Sequence, residues 1–139
     1  MNAKDLWFKL YNDIQEHPHR QWSSVQVNLY YLMEAMVFIR NEGGVRFLEE
    51  LRPESRGENR FEPFCRALYF FGFDDLAEWL EQYNDFCNQL FDVADPSANQ
   101  KLEPVADQLG AALESLPDEK AGIEQWIADN KSAAGANLV

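Results

Sequence analysis

Trp22-Ser23-Ser24-Val25-Gln26-Val27-Asn28-Leu29-Tyr30-Tyr31-Leu32-Met33-Glu34-Ala35-Met36-Val37-Phe38-Ile39 is the stretch whose reading decides the fold. Ser23 and Gln26 have the spacing of a capping box, and Trp22 and Val27 could form a hydrophobic staple beside it, so a helix begins here. From Val25 to Ile39 the apolar residues fall almost all round the helix. A helix without a polar face is packed on several sides, so the segment predicts a central helix. Gln26, Asn28 and Glu34 interrupt it, and it falls short of the ~20 apolar residues that a membrane helix needs. Gly43-Gly44 stops it, because glycine enters the left-handed conformation without steric cost.

Outward from this helix, the apolar residues keep a helical period. Leu6, Trp7, Leu10, Tyr11 and Ile14 predict a first helix over about residues 4 to 16, ended at His17-Pro18-His19 because proline disfavours helix in the residue before it. A short helix is expected from Val45 to Leu51, then a polar loop from Arg52 to Arg60. Asn59 and Glu62 resemble a cap for a helix running to about Phe71, where Gly72 ends it. Asp74 or Asp75 caps the next helix, to about Asp92. Asp95 to Asn99 reads as a turn. Pro104 suits the first turn of a sixth helix reaching about Leu116, and Pro117-Asp118-Glu119 opens a seventh carrying Ile123, Trp126 and Ile127. The chain has no threonine and little period-two alternation. The fold class expected is all-α, a single compact bundle of six or seven helices around a central apolar helix. It occupies residues 1 to 130 and leaves 131 to 139 as a flexible tail.

The 139 residues carry a formal net charge of −12, which repels nucleic acid and anionic membranes and attracts basic partners. Ten Phe, five Tyr and four Trp set the chain apart from disordered acidic segments, which lack large apolar residues. The N-terminus has no basic region leading into a long apolar run, so no secretory signal is expected. Cys65 and Cys87 fit neither a CxxC site nor a disulfide framework. They read as reduced thiols, and a cytoplasmic location follows as an expectation.

The charge is unevenly spread. Residues 1 to 66 hold nine Lys/Arg against ten Asp/Glu, a net −1, whereas residues 67 to 139 hold three against fourteen, a net −11. No basic residue lies between Arg66 and Lys101. On the helix starting at Asp74, ~100° per residue puts Leu76, Trp79, Leu80, Tyr83, Phe86, Cys87, Leu90 and Phe91 on one side. Asp74, Glu78, Glu81, Asp85 and Asp92 fall opposite, in a stripe roughly 60° wide, with Asp75 beside them. At ~1.5 Å rise per residue the first four step by about 4.5 to 6 Å. Successive phosphates on one DNA strand have a similar spacing, since it must exceed the ~3.4 Å axial rise per nucleotide. Like charges at i,i+4 disfavour a helix by a few tenths of a kcal/mol per pair, and a merely solvated face usually interleaves Lys or Arg. Two readings fit the row: a solvated acidic face, or a partner-binding face made of Asp74, Asp75, Glu78, Glu81, Asp85 and Asp92. Phe73, at the helix end, is a candidate apolar anchor beside it.

No constellation adds up to an enzyme, and neither metal nor cofactor is expected. His17 and His19 flank a proline with no third metal ligand nearby in sequence. The Glu-x-x-His pattern of di-metal helical sites is absent. Neither cysteine has a histidine nearby as base, so both read as core thiols. Gly43-Gly44 lacks the surroundings of a phosphate loop. Tyr69-Phe70-Phe71 and Tyr30-Tyr31 read as core, because a nucleic-acid stacking platform needs basic neighbours.

Two segments carry a resemblance. Asn41-Glu42-Gly43-Gly44-Val45-Arg46-Phe47 follows the long apolar helix, and Ala67-Leu68-Tyr69-Phe70-Phe71-Gly72-Phe73 leads into Leu76-Ala77-Glu78-Trp79-Leu80. A closing helix ends Trp126-Ile127-Ala128-Asp129-Asn130. This order resembles a bacterial family of small acidic helical proteins that includes a DNA-mimic protein. Glu42 and Val45 differ from that family's Asn-Gly-Gly-Phe-type stretch. The resemblance implies a homodimeric mimic whose acidic surface occupies a DNA-binding transcription regulator. The alternative is an immunity or antitoxin protein covering a basic toxin such as a nuclease. Under both readings the partner is a basic protein, with no direct binding of nucleic acid or membrane.

Overall fold

The computed structural model describes residues 1–92 and 96–138, with Asp92 described by its backbone alone. The chain is all-helical: α1 (Ala3–Glu16), α2 (Ser24–Glu42), α3 (Gly44–Leu51), α4 (Glu62–Phe70), α5 (Asp74–Asp92), α6 (Ala98–Leu113), a 3-10 turn (Leu116–Glu119), α7 (Lys120–Asp129) and α8 (Lys131–Ala134). Among the described residues there is no strand, and no helix is long and apolar enough to cross a membrane.

The predicted capping box is present. Gln26 N–H donates to Ser23 Oγ at 3.1 Å, and Ser23 N–H donates to Gln26 Oε1 at 3.0 Å. Leu29, Leu32, Met33, Ala35, Met36 and Ile39 are buried on α2, and most of its remaining residues are half-buried. The helix is covered by α1, α3, α4, the 3-10 turn and α8. Trp7 of α1, also buried, donates its indole N–H to the Leu29 carbonyl at 2.9 Å. One continuous core joins side chains from every helix.

Gly44 does more than help to stop α2. The first residue of α3, it lies against Gly110 of α6, where a Cβ would stand 2.0 Å from the Gly110 carbonyl oxygen. A Cβ on Gly110 would in turn stand 2.8 Å from the Val45 nitrogen. The two helices thus cross backbone to backbone, and only glycine fits at the crossing.

Three expectations are revised. The sixth helix begins at Ala98, so Pro104 lies inside it rather than in its first turn. Proline removes one backbone hydrogen bond from the helix, but Pro104 and Gln100 are both exposed, so water can satisfy the freed carbonyl. Burial of Leu102 and Ala106 in helical register holds the turn. The fourth helix is capped by no side chain, and Asn59 Oδ1 accepts instead from Phe61 N–H at 3.1 Å. The segment from Lys131 on, for which the sequence predicts fraying, carries α8 with Ala134 buried. The Gln26 side-chain amide donates to the Ala134 carbonyl at 3.2 Å and also to that of Ala136. Of the expected turn from Asp95 to Asn99, Asp95 lies outside the described residues; Pro96 and Ser97 form a turn and Ala98 opens α6.

Gln26 is fully buried and ties the start of α2 to the C-terminal segment, so Gln26→Leu removes the capping bond from Ser23 N–H and leaves the buried Ala134 carbonyl without its partner. Each unsatisfied buried group costs about 1–3 kcal/mol. Urea unfolding of Gln26→Leu should show a loss of at least that size, with accelerated amide exchange in residues 131–138. Gly110→Ala should cost about 1–3 kcal/mol or more through overpacking against Val45, read in the same way.

Candidate acidic interface

Helix α5 is set by the turn before it. Gly72 has φ +85°, a left-handed conformation. Phe73 N–H donates to the Leu68 carbonyl at 2.8 Å, and Gly72 N–H donates to the Tyr69 carbonyl at 3.2 Å. These two bonds form a Schellman motif, which closes α4 and folds α5 back against it. The far side of the hairpin is fixed by amides. Asn84 and Asn88 donate to the Glu58 carbonyl at 3.3 and 3.2 Å, and Asn88 Oδ1 accepts from Gly57 N–H at 2.6 Å. The polar loop is thereby pinned to α5.

With α5 held so, Ala77, Leu80, Tyr83, Asn84, Cys87 and Leu90 are buried. Asp74, Asp75, Glu78, Glu81 and Asp85 are all exposed. The side chain of Asp92, the last member of the predicted row, lies outside the described residues. Ion pairs form elsewhere, at Lys9–Asp13, Arg46–Glu49, Arg60–Glu54, Arg66–Glu62 and Lys120–Glu124. The carboxylates of the row face solvent without a cation drawn from those pairs.

Several aromatic residues lie differently from the sequence expectation. Trp79, placed by periodicity on the apolar side, is 44% exposed. It stands at the edge of the buried arc, over a groove against Val105 and Leu109 of α6. Phe91 is likewise exposed. Tyr69 and Phe70, expected in the core, are exposed on α4, while Phe71 is half-buried against Trp126 with ring centroids 5.3 Å apart. Tyr30 and Tyr31 are half-buried, and so is Phe73, the candidate anchor. The signal for Tyr69 lies in the sequence: it stands three residues beyond Arg66 and seven beyond Glu62, on the charged side of α4.

Tyr69 borders the acidic row. Partial burial, a hydrogen bond to Glu81 and the charges of Glu81 and Glu78 push its phenol above the ordinary value. Cys65 is buried beneath the row, its Sγ 3.7 Å from the Ala77 carbonyl oxygen. Burial, then the charges of Glu81 and Glu62, push its thiol up to about 12. Burial also raises Cys87, and it pushes Tyr83 up to about 12. At neutral pH both thiols are protonated, the form that does not attack. His17 and His19 are exposed after α1. Among the described residues, no three His, Cys, Asp or Glu side chains are placed to hold a metal ion.

Compared with family models, with curated proteins and with solved structures, the chain matches none.

Two titrations follow. Glu81→Gln removes the charge beside Tyr69 and leaves only a neutral, weaker acceptor, so the Tyr69 phenol should titrate at lower pH, as followed by NMR. Cys65 and Tyr83 ionise at higher pH folded than unfolded. Their contribution is complete below the unfolded values, ~8.5 and ~10, and is lost as pH rises towards about 12. Stability to urea should therefore fall between about pH 9 and 12, and Cys65→Ala should make that fall shallower.

Proposed function

We propose that the chain is an acidic protein-binding inhibitor, a DNA mimic whose α5 face occupies the basic surface of a nucleic-acid-binding protein or transcription regulator. The observation that carries this reading is the row Asp74, Glu78, Glu81 and Asp85, exposed together with Asp75 and outside the five ion pairs named above. On a helix these carboxylates step by about 4.5 to 6 Å, a phosphate-like spacing. An exposed ion pair is worth only about 0–1 kcal/mol, so a specific complex needs several pairs and apolar contact. Tyr69 on α4, exposed at the edge of the row, offers that contact. No enzyme activity is part of the reading, and the buried, protonated thiols agree with it. A cytoplasmic location goes with their reduced state.

The homodimer implied by the family resemblance belongs to the same proposal, and light scattering on the purified chain reads it. An immunity protein against a basic nuclease would use the same face. The captured partner's identity separates the two: a regulator for mimicry, a toxin for immunity.

The test begins with affinity capture from lysate at low salt and elution by a salt gradient. The bound protein should be basic and released steeply by salt, and duplex DNA should compete for it. The triple change E78K/E81K/D85K should leave the circular dichroism unchanged, slow association and cost several kcal/mol of affinity, roughly one ion pair per position. Unchanged low-salt affinity after the charge reversal would reduce the row to a solvated surface.

A further inference from the structure

A second surface has the opposite character. Helices α1 and α2 and the 3-10 turn enclose a groove of about 290 Å³. Its floor is Trp7, Met33 and Met36, all buried. Its walls are Phe8 and Val37, which stay 41% and 39% exposed although both are large and apolar. Cations stand at the rim of this apolar slot, in a chain with only twelve Lys and Arg against twenty-four Asp and Glu. Lys120 lies over the Phe8 ring at 5.6 Å and reaches Glu124 at 3.9 Å. Asp118 shares the rim, so Lys120 is not the only charge there. Arg40 is exposed, and its guanidinium takes part in none of the ion pairs named above.

We propose that this groove binds a single-chain carboxylate amphiphile, with its chain over Met33 and Met36 and its head on Arg40. The chemistry of the lining selects this occupant. Small-molecule sites are apolar clefts of ~300–1,000 Å³ in which a few polar groups fix orientation, and this groove lies at the lower end. Methionine is unbranched and adapts to irregular apolar shapes, as a flexible chain requires. Arginine presents a planar fork that takes a carboxylate through two parallel hydrogen bonds. A docked helix would need anchors at i, i+3, i+4 and i+7, and two exposed walls give too short a track. The net charge of −12 disfavours nucleic acid, and Arg40 and Lys120 at the rim disfavour a cationic head there. The groove lies on α1, α2 and the 3-10 turn, not on α5, so it functions whether or not the acidic face binds a partner.

The test is calorimetric titration of the purified chain with sodium hexanoate, octanoate and decanoate below their micellar concentrations. Binding should be 1:1, and affinity should rise about fourfold per added methylene, the ratio given by ~0.8 kcal/mol per buried CH₂. Arg40→Gln, at an exposed position, should weaken decanoate at least tenfold and leave decanol unchanged. Val37→Asp, also exposed, should abolish both while circular dichroism stays as in the wild type. No saturable binding of decanoate up to about 1 mM, no dependence on chain length, or equal decanoate affinity in Arg40→Gln would each overturn the proposal. Selective binding of decanoate-free anionic vesicles would do so as well, by making the surface a membrane contact.

Discussion

Burial of α2 on nearly every side is the constraint from which the rest of the architecture follows. A nineteen-residue helix without a polar face cannot stop at one neighbour, and here α1, α3, α4, the 3-10 turn and α8 close around it. The first and last parts of the chain are drawn in by the same requirement. Trp7 donates to the Leu29 carbonyl, and Gln26 reaches the carbonyls of Ala134 and Ala136. Gln26 carries two duties through its two ends: the oxygen caps α2, and the amide nitrogen holds the C-terminal segment. A buried glutamine is tolerated because its polar atoms are used.

The acidic helix enters the same core through Ala77, Leu80, Tyr83, Cys87 and Leu90. α5 packs chiefly on α4 and α6, and its orientation comes from the left-handed Gly72 and from the Asn84 and Asn88 amides on the polar loop. Burial of Leu80, Tyr83, Cys87 and Leu90 then offsets the repulsion along Asp74, Glu78, Glu81 and Asp85. The hairpin with α4 also puts Tyr69 against Glu81, so aromatic and carboxylate surface meet at one edge. Charge and apolar area occur together there, the combination that a protein interface uses.

The two surfaces divide the electrostatics of the molecule. One helix presents carboxylates to solvent, and the groove between α1 and α2 presents cations at an apolar slot. The α3–α6 crossing at Gly44 and Gly110 joins the two halves, because α6 packs on α5 as well as on α3. Backbone contact at that crossing leaves little room for sliding, so the acidic face is held on a rigid support.

Much of this was legible in the residues alone. The Ser23–Gln26 box, the stop at His17 before Pro18, the central character of Val25 to Ile39 and the solvent side of α5 are local properties. Caps lie within three or four residues, and helical phase repeats every ~3.6 residues, so the sequence determines them without knowledge of neighbours. The start of α6 escaped that reading, since burial of Leu102 outweighs the local preference of Pro104. Phe70 and Trp79 escaped it because exposure depends on how far an adjoining helix reaches across the edge of an apolar arc. Only the tertiary structure decided the Gly44–Gly110 crossing, the cationic rim of the groove and the clamp between Gln26 and Ala134. The last pair stands 108 positions apart, and no local preference of either residue encodes the other; the packing of the whole chain around α2 brings them together.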